Sequence, residues 1–345
     1  MTSLADYTTL GLGGPAKAFI DAASEAELTG AVAAADAAGE PVLILGGGSN
    51  LVVADEGFPG TVIHVNTRGA GYAEVAGGHV DVTVAAGEDW DDVVAAAVDG
   101  GLAGLECLSG IPGRAGATPI QNVGAYGHEV AEVITSVRVF DRRDRQVQVL
   151  PNGSCDFAYR GSYFKRNPAR YVVLGVTFRL ARDPLSMPVK YAELAAELGV
   201  GMGERSGVAE VRSGVLKIRA RKGMVLNPGD PDTKSAGSFF TNPVLGAGEF
   251  ARLAATAAGP VPRFEAGDGN VKVPAAWLIE HAGFGKGYGA PGAARVSAKH
   301  TLALVNAGGA TTADLLALAR EIRDGVRATF GVTLHPEPTL IGATL

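Results

Sequence analysis

Gly46-Gly47-Gly48-Ser49-Asn50 stands behind an apolar run, residues 41–45, and ahead of Leu51-Val52-Val53. Successive glycines let backbone N–H groups converge on an anion, and a pyrophosphate suits such a nest. A tight β-turn is the other reading of this loop taken alone. The pattern is not the GxGxxG that opens a helix, because Leu51-Val52-Val53 favours a strand. Gly11-Leu12-Gly13-Gly14 has no apolar strand before it and reads as a turn. A second segment, Ser109-Gly110-Ile111-Pro112-Gly113, is followed by Pro119-Ile120-Gln121-Asn122-Val123-Gly124-Ala125-Tyr126-Gly127. Its small residues permit close backbone approach to a flat ligand. Gln121, Asn122 and the main chain can bond a polar ring edge while Ile111 and Ile120 cover a face. Two such loops suit a large dinucleotide that carries a ring system.

The elements around these loops predict an α+β protein. Strands are expected at residues 61–65, 80–85, 137–140, 147–150 and 171–180, with a helix at 90–98. Ser24 and Glu27 form a capping box for a helix that runs to Gly39. Near Asp183-Pro184 the character changes, and helices follow at 191–198 and 207–221, the second with Val208, Val211, Val215 and Ile218 at helical spacing. Thr311 and Asp314 open a last long helix that sets Leu315, Leu318, Ile322, Val326 and Phe330 on one face and stops at Gly331. A final strand is expected at 332–334. The chain is long enough for two domains, and the boundary is placed near residue 183.

Three further segments complete a pattern: Tyr159-Arg160-Gly161-Ser162-Tyr163-Phe164-Lys165, Ser235-Ala236-Gly237-Ser238-Phe239-Phe240-Thr241-Asn242-Pro243, and His335-Pro336-Glu337-Pro338. Together with the two glycine loops, these segments resemble the UDP-N-acetylenolpyruvoylglucosamine reductases. That family lies within the wider class of flavoproteins related to vanillyl-alcohol oxidase and p-cresol methylhydroxylase. The resemblance implies a split FAD-binding domain at 1–183, made of two α+β subdomains. It implies a substrate-binding domain at 184–345 whose C-terminal strand returns to the active site. FAD would be held by Gly46, Gly47, Gly48, Ser49 and Asn50, by Ser109, Gly110, Ile111, Pro112 and Gly113, and by Ile120, Gln121, Asn122, Gly124, Ala125, Tyr126 and Gly127. The glycine loop carries no histidine, which agrees with noncovalent attachment.

The reaction implied is NADPH-dependent reduction of an enolpyruvyl ether on a UDP-linked amino sugar. Reduced flavin would deliver hydride from N5 to C3 of the enolpyruvyl group, and charge would then spread from C2 onto the carboxylate. Fixed donors near that carboxylate lower the barrier, because they bind the intermediate better than the substrate. Arg160 is the candidate, since a guanidinium binds a carboxylate bidentately. By resemblance Ser238 gives the proton to C2 and Glu337 stabilises the enol. A carboxylate beside an anion is repulsive, so Glu337 is expected to act in its protonated form. Tyr191 resembles a substrate-contacting tyrosine of the longer of the family's two forms. Tyr159, Lys222 and Asn242 complete the expected substrate set, Lys222 near the diphosphate. The family often reads Glu-Pro-Glu-Val-Arg at its last motif, and this chain has Thr339 where the arginine would stand. Any contact made by that arginine is absent here or supplied elsewhere.

A net charge of −6 with 30 Lys and Arg against 36 Asp and Glu leaves no general footprint for nucleic acid. The one basic cluster, residues 217–222, reads as a solvated helix face or as part of a local pocket. Cys107 and Cys155 form no CxxC pair and are expected as reduced thiols. None of the six histidines has metal-site spacing, so no metal is expected. Trp90 and Trp277 are assigned to cores. No basic n-region or apolar h-region opens the chain and no apolar stretch reaches membrane length, so a cytoplasmic monomer is expected. Two alternatives stay open: a flavin oxidase of the same class that uses oxygen, and a flavin- or nucleotide-sugar-binding regulator without turnover.

Overall fold

The computed structural model describes residues 1–345. Its α-helices are α1 (Glu25–Ala37), α2 (Trp90–Asp99), α3 (Thr118–Gln121), α4 (Tyr163–Arg166), α5 (Ala192–Leu198), α6 (Val208–Arg221), α7 (Ala247–Thr256), α8 (Ala275–His281) and α9 (Thr312–Phe330). The strands are β1 (Ala16–Ala22), β2 (Val42–Leu45), β3 (Leu51–Val53), β4 (Phe58–Val65), β5 (Ala70–Val75), β6 (His79–Ala85), β7 (Leu102–Ala103), β8 (Gly124–Ala125), β9 (His128–Glu129), β10 (Ile134–Asp141), β11 (Gln146–Pro151), β12 (Tyr171–Arg182), β13 (Val244–Leu245), β14 (Phe264–Glu265), β15 (Val271–Lys272), β16 (Ala294–Val296), β17 (Leu304–Asn306) and β18 (Thr339–Ile341). Helix and strand are mixed throughout, as the α+β expectation requires.

Two compact units form. The first comprises Met1–Thr2, Ala16–Gly47 and Pro59–Arg221, and the second Ser3–Pro15, Gly48–Phe58 and Lys222–Leu345. In the first unit β4 lies between β1 and β2, and β2 runs parallel to β4 with Val42 opposite Thr61. A larger antiparallel sheet has the order β11-β10-β12-β6-β5, with β7 added to β12. Alternation explains its faces: Val80, Val82 and Val84 of β6 are buried, while Asp81 and Thr83 between them turn outward, to Arg179 and Thr177 of β12. The apolar face packs on α2, where Trp90 lies 5.6 Å from Phe178 and its indole N–H donates to the Leu108 carbonyl at 3.1 Å. The predicted capping box of α1 forms, with Ser24 Oγ accepting from the Glu27 N–H at 3.2 Å.

The packing corrects the boundary at 183. Residues 184–221 sit in the first unit because Val189, Leu194, Val211, Val215 and Ile218 close a small core around Cys107. The sequence change near Asp183 marks the end of β12, not the end of a packed body.

In the second unit α9 supplies Leu315, Leu318, Ile322, Val326 and Phe330 to the core. The capping box at Thr311 and Asp314 forms as predicted. Two N-terminal pieces complete this unit. Leu10 and Leu12 are buried in its core, and Asp55 accepts the N–H groups of Thr312 and Ala313 at 2.8 and 2.9 Å, at the start of α9. The strand expected at 332–334 is not one: Val332 and Leu334 are buried in a non-strand segment. The last strand is β18, parallel to β3, with Thr339 opposite Leu51.

Candidate active site

The glycine loop is held by close approach rather than by its own turn. In the first unit a Cβ on Gly47 would stand 2.7 Å from the Gly113 Cα, so the two predicted loops touch backbone to backbone. Ile111, Ile120, Val123 and Ala125 are half-buried along the edge of the main core. The Gly110 N–H donates to Asp91 Oδ1 at 2.6 Å, and Asp91 also receives Arg212 at 2.7 and 2.9 Å. Burial works against the Asp91 charge, but Arg212 and that N–H hold its carboxyl below the ordinary value.

Arg160 has φ 51, a left-handed backbone that a non-glycine residue adopts at a cost. The turn is closed by reciprocal Ala158 and Gly161 backbone bonds of 2.9 Å. Its guanidinium donates to the Gly124 carbonyl at 2.8 Å and lies over the Tyr159 ring, 5.4 Å from the centroid. A Cβ on Gly124 would stand 2.9 Å from the His128 carbonyl oxygen and 3.0 Å from Arg160 Nη1, and the backbone clash explains a glycine there. Asn122 is fully engaged inside the protein. Its amide donates to Glu129 Oε2 at 2.7 Å and to the Ala158 carbonyl at 2.9 Å, and its oxygen accepts from the Ala131 N–H at 3.3 Å. Its side chain therefore braces the Arg160 turn instead of facing a ring edge. Ser109 is likewise turned inward, donating to the Glu106 carbonyl at 2.7 Å. Tyr191 is 41% exposed and meets Tyr126 edge-on at 5.4 Å.

Gly46, Pro112 and Gln121 also lie in the first unit, whereas Gly48, Ser49, Asn50, Lys222, Ser238, Asn242 and Glu337 belong to the second. Gly48 has φ +59, and a Cβ there would fall 1.8 Å from the Tyr7 carbonyl oxygen. The next residues meet the C-terminal segment: the Thr339 N–H donates to the Asn50 carbonyl at 2.9 Å and the Asn50 amide to the Glu337 carbonyl at 3.4 Å. Glu337 in turn donates its N–H to the Phe239 carbonyl at 2.8 Å, and Phe240 pairs with Pro336. These bonds set Ser238, between left-handed Gly237 and buried Phe239, beside the Glu337 backbone. Asn242 Oδ1 accepts the Ala275 N–H at 2.9 Å, so this expected substrate contact also caps α8. Lys222 is half-buried, and a Cβ on its neighbour Gly223 would stand 3.4 Å from Lys299 Cδ.

Arg219 escaped the sequence reading. It falls within the basic run 217–222, yet it is 6% exposed, near Gly110 and bonded to Tyr126. The helical period does offer a signal, because position 219 follows Ile218 on the inward side of α6. Lys299, paired with Asp230, had no signal at all. No group of three or more His, Cys, Asp or Glu side chains is gathered to hold a metal ion, and no helix is long and apolar enough to cross a membrane.

The chain is 58% identical over 99% of its length, and 97% of the relative's, to a UDP-N-acetylenolpyruvoylglucosamine reductase of Thermobifida fusca. It is 55% identical over its whole length, and 96% of the relative's, to the protein of that name in Saccharopolyspora erythraea. The chain belongs to the UDP-N-acetylenolpyruvoylglucosamine reductase family. Residues 230–341 match the family model described as the C-terminal domain of that reductase, and residues 16–150 match an FAD binding domain. The crystal structure of the reductase from Thermus caldophilus superposes with a TM-score of 0.66 at 28% identity, covering 99% of this chain and 97% of that one. As a member of this reductase family the protein is an oxidoreductase with an FAD-binding domain, and FAD fits what is present. A side chain at 47 or 48 would collide with neighbouring backbone, Gly113 has φ 125, a conformation that favours glycine, and apolar residues line the second loop.

Proposed function

We propose that the protein uses FAD and NADPH to reduce the enolpyruvyl group of UDP-N-acetylglucosamine enolpyruvate to UDP-N-acetylmuramate, in peptidoglycan precursor synthesis. The observation that carries the reading is the run of hydrogen bonds from the Asn50 side chain to the Glu337 carbonyl and from the Glu337 N–H to the Phe239 carbonyl, which brings the backbones of two distant motifs together next to the glycine loop. FAD, which the glycine loop at 46–50 and the 109–113 loop would hold, would supply hydride chemistry between the nicotinamide and the enolpyruvyl double bond.

The chain's own residues do the rest. Arg160 binds the substrate carboxylate, held by the Gly124 carbonyl and by a turn braced through Asn122. A fixed cation there favours the enol form over the ground state. Ser238 donates the proton to C2, and geometry supplies much of the effect because a serine hydroxyl is a poor acid. Glu337 helps to stabilise the enol form. Tyr191, Tyr159, Lys222 and Asn242 contact the UDP-sugar, with Lys222 at the diphosphate. The protein works as a cytoplasmic monomer.

The test is anaerobic titration of the purified yellow protein. NADPH should bleach the flavin band and the enolpyruvyl sugar should restore it. A colourless protein, or a reduced flavin that only oxygen reoxidises, would reject the proposal. Ser238→Ala should keep the first half-reaction and slow the second by roughly a hundredfold or more.

A further inference from the structure

His128 has no part in this chemistry, yet it is 3% exposed and both of its ring nitrogens face acceptors. Nε2 lies 2.8 Å from the Pro188 carbonyl oxygen and Nδ1 lies 2.9 Å from Glu132 Oε2. A carbonyl and an ionised carboxylate only accept. Both contacts are hydrogen bonds only when the ring carries two protons. Glu132 keeps its charge: burial opposes it, but the bond from His128, the N–H of Glu129 and Lys190 hold the carboxyl below its usual range.

The Pro188 carbonyl belongs to a short strap, residues 186–190, that leads into Tyr191. Glu106, fully buried, accepts the Met187 N–H at 2.6 Å and the Gly104 N–H at 2.6 Å. Val189 is buried against Cys107 and Val211, and its N–H donates to the Glu204 carbonyl at 2.8 Å. The Lys190 Cβ lies where Gly127 leaves room, 2.6 Å from where a Cβ would stand. The charged and titratable groups around the imidazole are Glu132 and Lys190, 3.5 Å from one another, with Glu106, Cys107, Glu129, Tyr126 and Tyr191 on the elements packed nearby. The Cys107 thiol is neutral there, pushed up to about 12 by burial and by Glu106.

We propose that doubly protonated His128 is a positioning residue, tying the 186–190 strap to the 124–132 segment and so fixing Tyr191 for the UDP-sugar. This rests on the functional reading above, in which Tyr191 contacts the substrate. Loss of one ring proton removes a donor from one of two acceptors and loosens the strap.

The experiment compares holoenzyme with His128→Gln and Glu132→Gln. His128→Gln serves one acceptor only, and Glu132→Gln keeps the acceptor but removes its charge. Each variant should raise KM for the enolpyruvyl UDP-sugar about three- to tenfold, the worth of one buried hydrogen bond. Both kcat and the rate of flavin reduction by NADPH should change by less than about twofold. Wild-type KM should climb as pH is raised far enough to remove one ring proton, and His128→Gln should abolish that climb. In wild type the protection of the Met187 and Val189 amides against hydrogen exchange should fall over the same range, a readout that needs no variant. Unchanged KM in variants that hold FAD, or pH-independent protection, overturns the proposal. A wild type that never turns over the sugar sinks the functional reading instead, and the protection data still decide whether His128 holds the strap.

Discussion

Arg160 illustrates how much one side chain's surroundings add to its identity. The residue type announces a carboxylate ligand, but the left-handed backbone and the Gly124 carbonyl bond decide where the guanidinium points. Lysine cannot reproduce that fork. Arg160→Lys should therefore lower kcat/KM for the enolpyruvyl sugar by roughly a hundredfold, comparable to losing one preorganised donor, while stopped-flow reduction by NADPH stays near wild type. The two thiols make a contrasting case. Burial raises Cys107 to about 12 and Cys155 to about 11, so neither offers thiolate at pH near 8. A thiol reagent should label neither in the native protein and both after denaturation; fast native labelling would contradict the packing. The sequence offered the candidate chemistry-bearing residues, but not the contacts that support them. Asn122 reads as a ligand group but works as a brace, because its partners at 129, 131 and 158 come together only in the fold. Arg219 reads as surface charge but lies inside.

At the scale of elements, periodicity and capping chemistry identified α1, α2, α6 and α9, where local signals and packing agree. They failed at 332–334, where a buried apolar run has no strand partner, and at β18, whose pairing with β3 depends on residues almost the whole chain away. The junction of α2, α6 and the 109–113 loop is a charge device of the same long-range kind. The Asp91 carboxyl, whose ordinary value is 3.8, is lowered in the folded state. Its contribution is therefore complete above about 3.8 and disappears as pH falls through the lower folded value. Arg212→Ala should cost on the order of 1 kcal/mol at neutral pH, since the pair is partly solvent-screened. The difference from wild type should vanish in acid, as denaturant melts at stepped pH would show. A penalty that persists in acid strong enough to protonate Asp91 in the folded protein would mean that lost packing, not charge, is responsible. Gly48→Ala tests the glycine loop in the same way. Its strained φ and the Tyr7 contact should lower Tm and weaken FAD retention, read by the flavin released on gel filtration.

The whole molecule follows neither sequence order nor the boundary at residue 183. The chain passes between its units at Thr2/Ser3, Pro15/Ala16, Gly47/Gly48, Phe58/Pro59 and Arg221/Lys222. Composition could show a change of character, but not that segments 3–15 and 48–58 belong with the C-terminal third. A fragment ending at residue 183 leaves Cys107 without Val211, Val215 and Ile218. It should lack a cooperative melt by circular dichroism, whereas a fragment ending at 221 keeps that core.

The pairing of β18 with β3 carries a consequence for biogenesis. A nascent chain on the ribosome exposes Leu51–Val53 and Asp55 long before Thr312 or Thr339 has been made. Those early segments, with the Gly48–Asn50 part of the glycine loop, must wait unpaired until synthesis is nearly finished. Flavin capture that depends on the whole loop is then a post-translational event, and truncated translation products should emerge without colour.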